Sequence, residues 1–95
     1  MTRFAFFEGA IRPIDEAKVS VMTHALHYGT GWFGGLRGYW NAEQEQLYVF
    51  RIQDHSRRFL NSGRILLADL GYSADDLAAI TLDLLRREGW REDCY

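Results

Sequence analysis

Residues 19–39 read VSVMTHALHYGTGWFGGLRGY, and this stretch sets the plan of the chain. It holds His24 and His27, two of the three histidines, and five of the nine glycines. Apolar and aromatic residues fill much of the rest, yet glycine keeps interrupting them, and Arg37 sits among those glycines. Such a run makes poor continuous core. It reads as backbone that must approach something closely, because glycine lets the main chain come nearer a neighbour than any other residue does.

Outward from this stretch, the pattern alternates between hairpins and helices. Upstream, residues 4–7 read as a strand, Glu8-Gly9 as a turn, and residues 10–14 as a returning strand limited by Pro13. Residues 15–18 form a polar connector, and Val19-Ser20-Val21 is short and β-prone. Thr23 is a suitable N-cap for a short helix from His24 to about Gly29. Downstream, residues 36–40 and 47–52 read as a second hairpin across a polar loop. Residues 53–68 carry helical periodicity, with Phe59, Leu66 and Leu70 near one face and Gly71 as the stop. Ser73-Ala74-Asp75-Asp76 resembles a capping box for a further helix to about Glu88, with Gly89 as C-cap and Arg86 and Arg87 suiting the helix dipole. The last residues resemble the start of another strand. The expected fold is α+β: a mainly antiparallel sheet of two hairpins covered by helices.

The length of 95 residues suits one domain. Fourteen aromatics (3 Trp, 5 Tyr and 6 Phe) imply a substantial core, a large interface or a pocket. The net charge of −2 speaks against nucleic acid or an anionic membrane as partner. The lone Cys94 excludes an internal disulfide framework and supplies no metal cluster. The opening residues lack a signal-peptide pattern, no apolar run reaches membrane-spanning length, and a cytoplasmic protein is expected. Lys18 is the single lysine beside ten arginines.

Several constellations have both a bland and a functional reading. Gly29-Thr30-Gly31-Trp32-Phe33-Gly34 matches G-x-G-x-x-G, but a helix precedes it and a strand follows, the reverse of a dinucleotide-binding turn. His24 and His27 have metal-ligand spacing without a third ligand, so their imidazoles are expected to fasten the turn, and no metal site is assigned. Arg57-Arg58 is either a solvated face or a guanidinium grip on a phosphate or carboxylate. Arg37, expected on a strand, is either buried and paired or lines a pocket. Tyr28, Trp32, Phe33 and Tyr39 are either core or the wall of an apolar side-chain pocket. The residues by themselves lead to an α+β domain with a candidate small-anion pocket.

The run H-A-L-H-Y-G-T-G-x-F-x-G-L-R-x-Y over residues 24–39 resembles the N-terminal signature of the branched-chain amino-acid aminotransferases, the fold-type IV (class IV) pyridoxal-phosphate enzymes of branched-chain amino-acid biosynthesis. F-F-E-G-A-I-R-P, D-E-A-K-V and V-M-T-H precede it as in that family, and V-F-R-I-Q-D-H-S-R-R-F-L follows it. The resemblance covers essentially the whole chain and is most specific over residues 15–60. It implies that residues 1–95 are the small N-terminal domain of a two-domain subunit of about 300 residues, in line with two ordinary domains. It further implies pyridoxal 5′-phosphate as cofactor, with Arg58 of an H-x-x-R-L motif (His55 its histidine) on the phosphate and Arg57 solvated. Tyr28, Phe33, Gly35, Arg37 and Tyr95 correspond to positions that shape the substrate site. The implied reaction moves an amino group between Leu, Ile or Val and 2-oxoglutarate, in a homodimer or larger assembly.

Two residues depart from the family pattern. Gly34 stands where the family usually has Glu, and Trp32 is bulkier than the usual residue there. The lysine that links the cofactor, and the Glu that pairs with its pyridine nitrogen, lie in the family's large domain. Lys18 matches a structural segment instead, so the 95 residues are expected to be a catalytically incomplete fragment, poorly soluble or self-associating where the large domain would cover it. A D-amino-acid aminotransferase or an aminodeoxychorismate lyase is the alternative within the fold type. A non-catalytic domain that binds a small anion or another chain is the alternative outside it.

Overall fold

A computed structural model describes residues 3–95 of the chain. Strand β1 (Phe4–Phe7) turns through Glu8 and Gly9 into β2 (Ala10–Pro13), antiparallel and in register from Phe4 opposite Pro13 to Phe7 opposite Ala10. Pro13 closes the strand, and Ile14–Glu16 forms one 3-10 turn. The β-prone Val19-Ser20-Val21 forms no strand; Ser20 instead caps a turn through a hydroxyl 3.0 Å from the Met22 N–H. Helix α1 (His24–Tyr28) follows and ends at Gly29, whose φ of 63° needs the left-handed backbone that glycine adopts without penalty.

The second hairpin pairs β3 (Gly38–Asn41) with β4 (Gln46–Val49). It starts two residues later and ends three earlier than the pattern suggested, so Arg37 precedes the strand and Ile52 opens the next helix. The two hairpins are separate two-stranded antiparallel sheets.

Helix α2 (Ile52–Ile65) and helix α3 (Ala74–Glu88) pack on one another, and α3 also packs on β1. The Ser73 hydroxyl accepts from the Asp76 N–H at 3.0 Å and the Asp76 carboxylate from the Ser73 N–H at 2.9 Å, the capping box expected there. At the far end of α3, Glu88 Oε1 accepts from the Phe4 N–H at 2.9 Å, and the Arg87 guanidinium lies 4.8 Å from the Phe4 ring centre.

Helix α2 ends earlier than expected. The Ala68 N–H reaches the Gly63 carbonyl and the Leu67 N–H the Arg64 carbonyl, each at 2.9 Å, with Leu67 at φ 58°. That is a Schellman ending with leucine in the position glycine usually takes, so Leu66 and Leu70 lie beyond the helix. Among the described residues, Ala78 (3% exposed) is the one buried hydrophobic side chain, while many large apolar residues stand in solvent. The Cα radius of gyration is 14.7 Å, against about 12 Å for a compact domain of this length. The molecule is a slab of 46 × 29 × 18 Å.

Candidate functional site

The N-terminal end of α2 gathers positive charge. Arg51 caps the helix in left-handed backbone (φ 54°), and Arg57 and Arg58 lie in its second turn. Cations at this end oppose the helix dipole, which favours negative charge there. One carboxylate answers two of them: Asp54 accepts from Arg51 Nε at 2.6 Å and from Arg57 Nη2. Arg58 has no carboxylate partner among the described residues. Its Nη2 lies 3.1 Å from His55 Nδ1 and makes a long 3.4 Å contact with the Gly35 carbonyl. Arg57, expected to be solvated, is exposed but also ion-paired, whereas the Arg58 charge is left uncancelled.

Gly35 connects this end of the helix to Tyr95. A Cβ built at position 35 would lie 1.9 Å from the Tyr95 hydroxyl oxygen and 2.6 Å from Cζ of that ring. The close approach inferred from the glycines is thus taken up here by an aromatic side chain of the same chain. Tyr95 is delivered by residues 90–95, which line up along β3. Gly38 and Cys94 exchange backbone hydrogen bonds of 2.9 and 3.0 Å. Beside them the Asp93 carboxylate accepts from the Trp40 N–H at 2.8 Å. Arg91 adds an ion pair to Glu45 at 2.7 Å and stacks 4.9 Å from the Trp40 ring centre. The strand-like ending expected from the sequence is this single bridge.

Two recesses meet at Arg58. One, of about 200 Å³, runs between Gly34, Gly35 and Leu36 on one side and Phe59, Leu77 and Thr81 on the other, with His55, Ser56 and Arg58 at its edge. The other, of about 300 Å³, is bounded by Phe50, Arg51, Asp54, His55 and Arg58. An apolar hollow bordered by an uncancelled guanidinium can hold an aromatic ring bearing an anionic group.

The remaining candidates are placed apart from this cluster. Tyr28 is 73% exposed and stacks on His24 with ring centres 4.5 Å apart; Phe33 is 89% exposed. Neither lines the two recesses. Arg37 is exposed, its guanidinium 5.8 Å from the Tyr39 ring centre. The histidine pair fastens the loop around α1: His24 Nδ1 meets the Thr30 hydroxyl at 3.0 Å and His27 Nε2 the Val21 carbonyl at 2.5 Å. Lys18 lies in the exposed connector after β2.

Both departures from the family pattern adjoin α2. Position 34 faces Phe59, whose Cδ1 would be 3.4 Å from an added Cβ. Trp32 lies against α2, its Nε1–H donating to the Phe59 carbonyl at 3.0 Å. Sequence reasoning passed over Asp54, which decides which arginine is neutralised, and Asp93, which braces the segment carrying Tyr95. Asp54 was legible as an acid three residues from both Arg51 and Arg57 on a helix. Asp93 had no local signal, because its partner Trp40 is remote in sequence.

Hydrogen bonds from Arg51 and then Arg57 hold the Asp54 carboxyl below its ordinary value of 3.8. A carboxyl whose folded pKa is depressed adds stability in full above its unfolded value, and that increment is lost as pH falls through the lower folded value. The pairing therefore weakens only below about pH 3.8, with the sign of an acid-induced loss. In thermal melts followed by circular dichroism, Asp54→Asn should remove part of the stability gap between neutral pH and that acid window. Identical acid profiles for both chains would show that the pairing contributes nothing.

No family model matches the chain. It is 51% identical over 92 residues to a protein of Aquifex aeolicus (strain VF5) named probable branched-chain-amino-acid aminotransferase, covering 97% of this chain and 30% of that one. A crystal structure of the branched-chain aminotransferase of Thermoproteus uzoniensis with norvaline superposes with a TM-score of 0.91 at 39% identity, covering 98% of this chain and 31% of that one. The branched-chain amino acid aminotransferase of Thermobaculum terrenum in its PLP form superposes at 0.86 with 30% identity, over 97% of this chain and 30% of that one. The chain spans about 30% of the length of the relatives it matches. Over nearly all its own length it is a homologue of the branched-chain aminotransferases, with their α+β fold in this region.

Proposed function

We propose that this chain, a homologue of branched-chain aminotransferases over nearly all its length, is the small N-terminal domain of such a class IV enzyme. The whole protein transfers an amino group between a branched-chain L-amino acid (Leu, Ile or Val) and 2-oxoglutarate, in the cytoplasm and in the service of branched-chain amino-acid biosynthesis. It works with pyridoxal 5′-phosphate, as a homodimer or larger assembly. The observation that carries the reading is the contrast between neighbours on α2: Arg57 is neutralised by Asp54, and Arg58 keeps its charge beside an apolar recess.

A doubly charged phosphate fits that place. Arg58 would grip the phosphate with its planar fork, and the residues of the recess between Gly35 and Phe59 would hold the rest of the cofactor. When bound, the cofactor supplies the electron sink and amino-group carrier that transamination requires. This chain's own residues bind and orient. Tyr95, held over Gly35, presents its hydroxyl to the substrate. Tyr28 and Phe33 form the apolar wall for a branched side chain once a second body covers their exposed faces. Arg37, exposed beside Tyr39, is assigned to the substrate side with them although it lies outside the two recesses. Lys18 lies in the connector after β2, and the lysine that links the cofactor belongs to the large domain of the whole enzyme.

The test is a titration of the isotope-labelled chain with pyridoxamine 5′-phosphate, which has no aldehyde to react with Lys18. Arg58→Ala should weaken binding roughly tenfold to a hundredfold, the loss of charge-assisted hydrogen bonds, and Arg57→Ala by less than about threefold. Dephosphorylated pyridoxamine should bind both chains equally weakly. Equal binding of the phosphorylated compound by the Arg58→Ala and unaltered chains would remove Arg58 from the phosphate role.

A further inference from the structure

We infer that His55 is a positioning residue for the anion site: its uncharged imidazole, protonated on Nε2, holds the Arg58 guanidinium in place through Nδ1. This rests on the reading of Arg58 as the phosphate ligand. His55 and Arg58 lie three residues apart on α2, where side chains face each other. Arg58 Nη2 is 3.1 Å from His55 Nδ1. A guanidinium offers only N–H donors and keeps its proton in proteins. The Nδ1 lone pair is therefore the acceptor, which fixes both the charge and the tautomer of the ring.

The nature of this partner matters. Arg51 and Arg57 are held by the Asp54 carboxylate, which cancels their charge as it orients them. Arg58 is held by a neutral ring and by the Gly35 carbonyl, which orient it and leave its charge available. An arginine already set in one conformation loses less side-chain freedom when an anion arrives. The groups bordering the recess from α3 and from residues 34–36 are uncharged: Leu77, Thr81 and Leu36. On α2, Asp54 is already engaged by Arg51 and Arg57. His55 is thus the group available to hold Arg58 without neutralising it.

The test uses the same titration with pyridoxamine 5′-phosphate on three variants. His55→Leu removes the acceptor and should weaken binding roughly threefold to tenfold. His55→Asn puts Oδ1 where Nδ1 stood and should stay within about twofold of the unaltered chain. The nitrogen-15 spectrum of His55 at mildly alkaline pH should show a bare Nδ1 and a protonated Nε2. That reading needs no variant, so it decides even where His55→Leu fails to fold. A protonated Nδ1, full affinity in His55→Leu, or a loss in His55→Asn equal to that in His55→Leu would each overturn the positioning role. An Arg58→Ala chain that binds as well as the unaltered one overturns the phosphate reading and this inference with it. Loss in Arg58→Ala without loss in His55→Leu overturns the inference alone.

Discussion

Replacing Gly63 with alanine should lower the stability of the chain by roughly 1–3 kcal/mol, the usual range for overpacking. In an ordinary helix interior the same change stabilises by about 1 kcal/mol, because alanine is the better helix former. Trp32 reverses the sign. A Cβ on Gly63 would stand 2.6 Å from Cζ2 of that indole, 3.1 Å from Cη2 and 3.3 Å from Cε2. The indole is not free to swing aside. Its Nε1–H is bonded to the Phe59 carbonyl, and its ring lies 5.3 Å centre to centre from the Phe59 ring. Urea unfolding of the single variant and of the Trp32→Ala/Gly63→Ala pair checks this. In the Trp32→Ala background the alanine should become neutral or stabilising. A Gly63→Ala chain at least as stable as the unaltered one would show that the indole yields without cost.

Gly38→Val should release the C-terminal segment from β3. Gly38 is buried, and a Cβ there would meet Cys94 Sγ at 3.0 Å and the two Leu47 methyl carbons at 3.2 and 3.3 Å. Leu47 belongs to the hairpin partner β4, which pairs along its whole length with β3, whereas Cys94 is held by one pair of backbone bonds. The weaker attachment gives way first. The expected destabilisation is roughly 1–3 kcal/mol. In amide exchange, the Cys94 N–H should lose its protection while the β3–β4 amides keep theirs. Unchanged protection at Cys94 would show that the site absorbs the larger side chain.

Elements with a local chemical signature could be read without coordinates. The Glu8-Gly9 turn, the capping box at Ser73 and the glycine closing α1 each announce themselves by residue type. Boundaries went astray where ordinary residues adopt left-handed backbone. Arg51 at φ 54° starts α2 and Leu67 at φ 58° ends it, and neither position carries the glycine that normally marks such a turn. The site divides the same way. The motif resemblance singled out Gly35, Arg58 and Tyr95, and these three meet in space. Which arginine keeps its charge depends on how one carboxylate is shared, and that appears only in three dimensions. Tyr28, stacked only on His24, and Phe33 are left largely exposed by the described residues.

The Tyr95 hydroxyl fills the place where any residue but glycine would carry its Cβ at position 35. These two positions, far apart in sequence, are therefore coupled through the far end of a side chain that is 87% exposed and can turn outward. A lineage that gains a side chain at 35 must surrender or redirect the aromatic ring at 95, and one that loses the ring frees position 35 to drift. In an alignment the two columns should covary, with glycine at 35 accompanying an aromatic residue at 95.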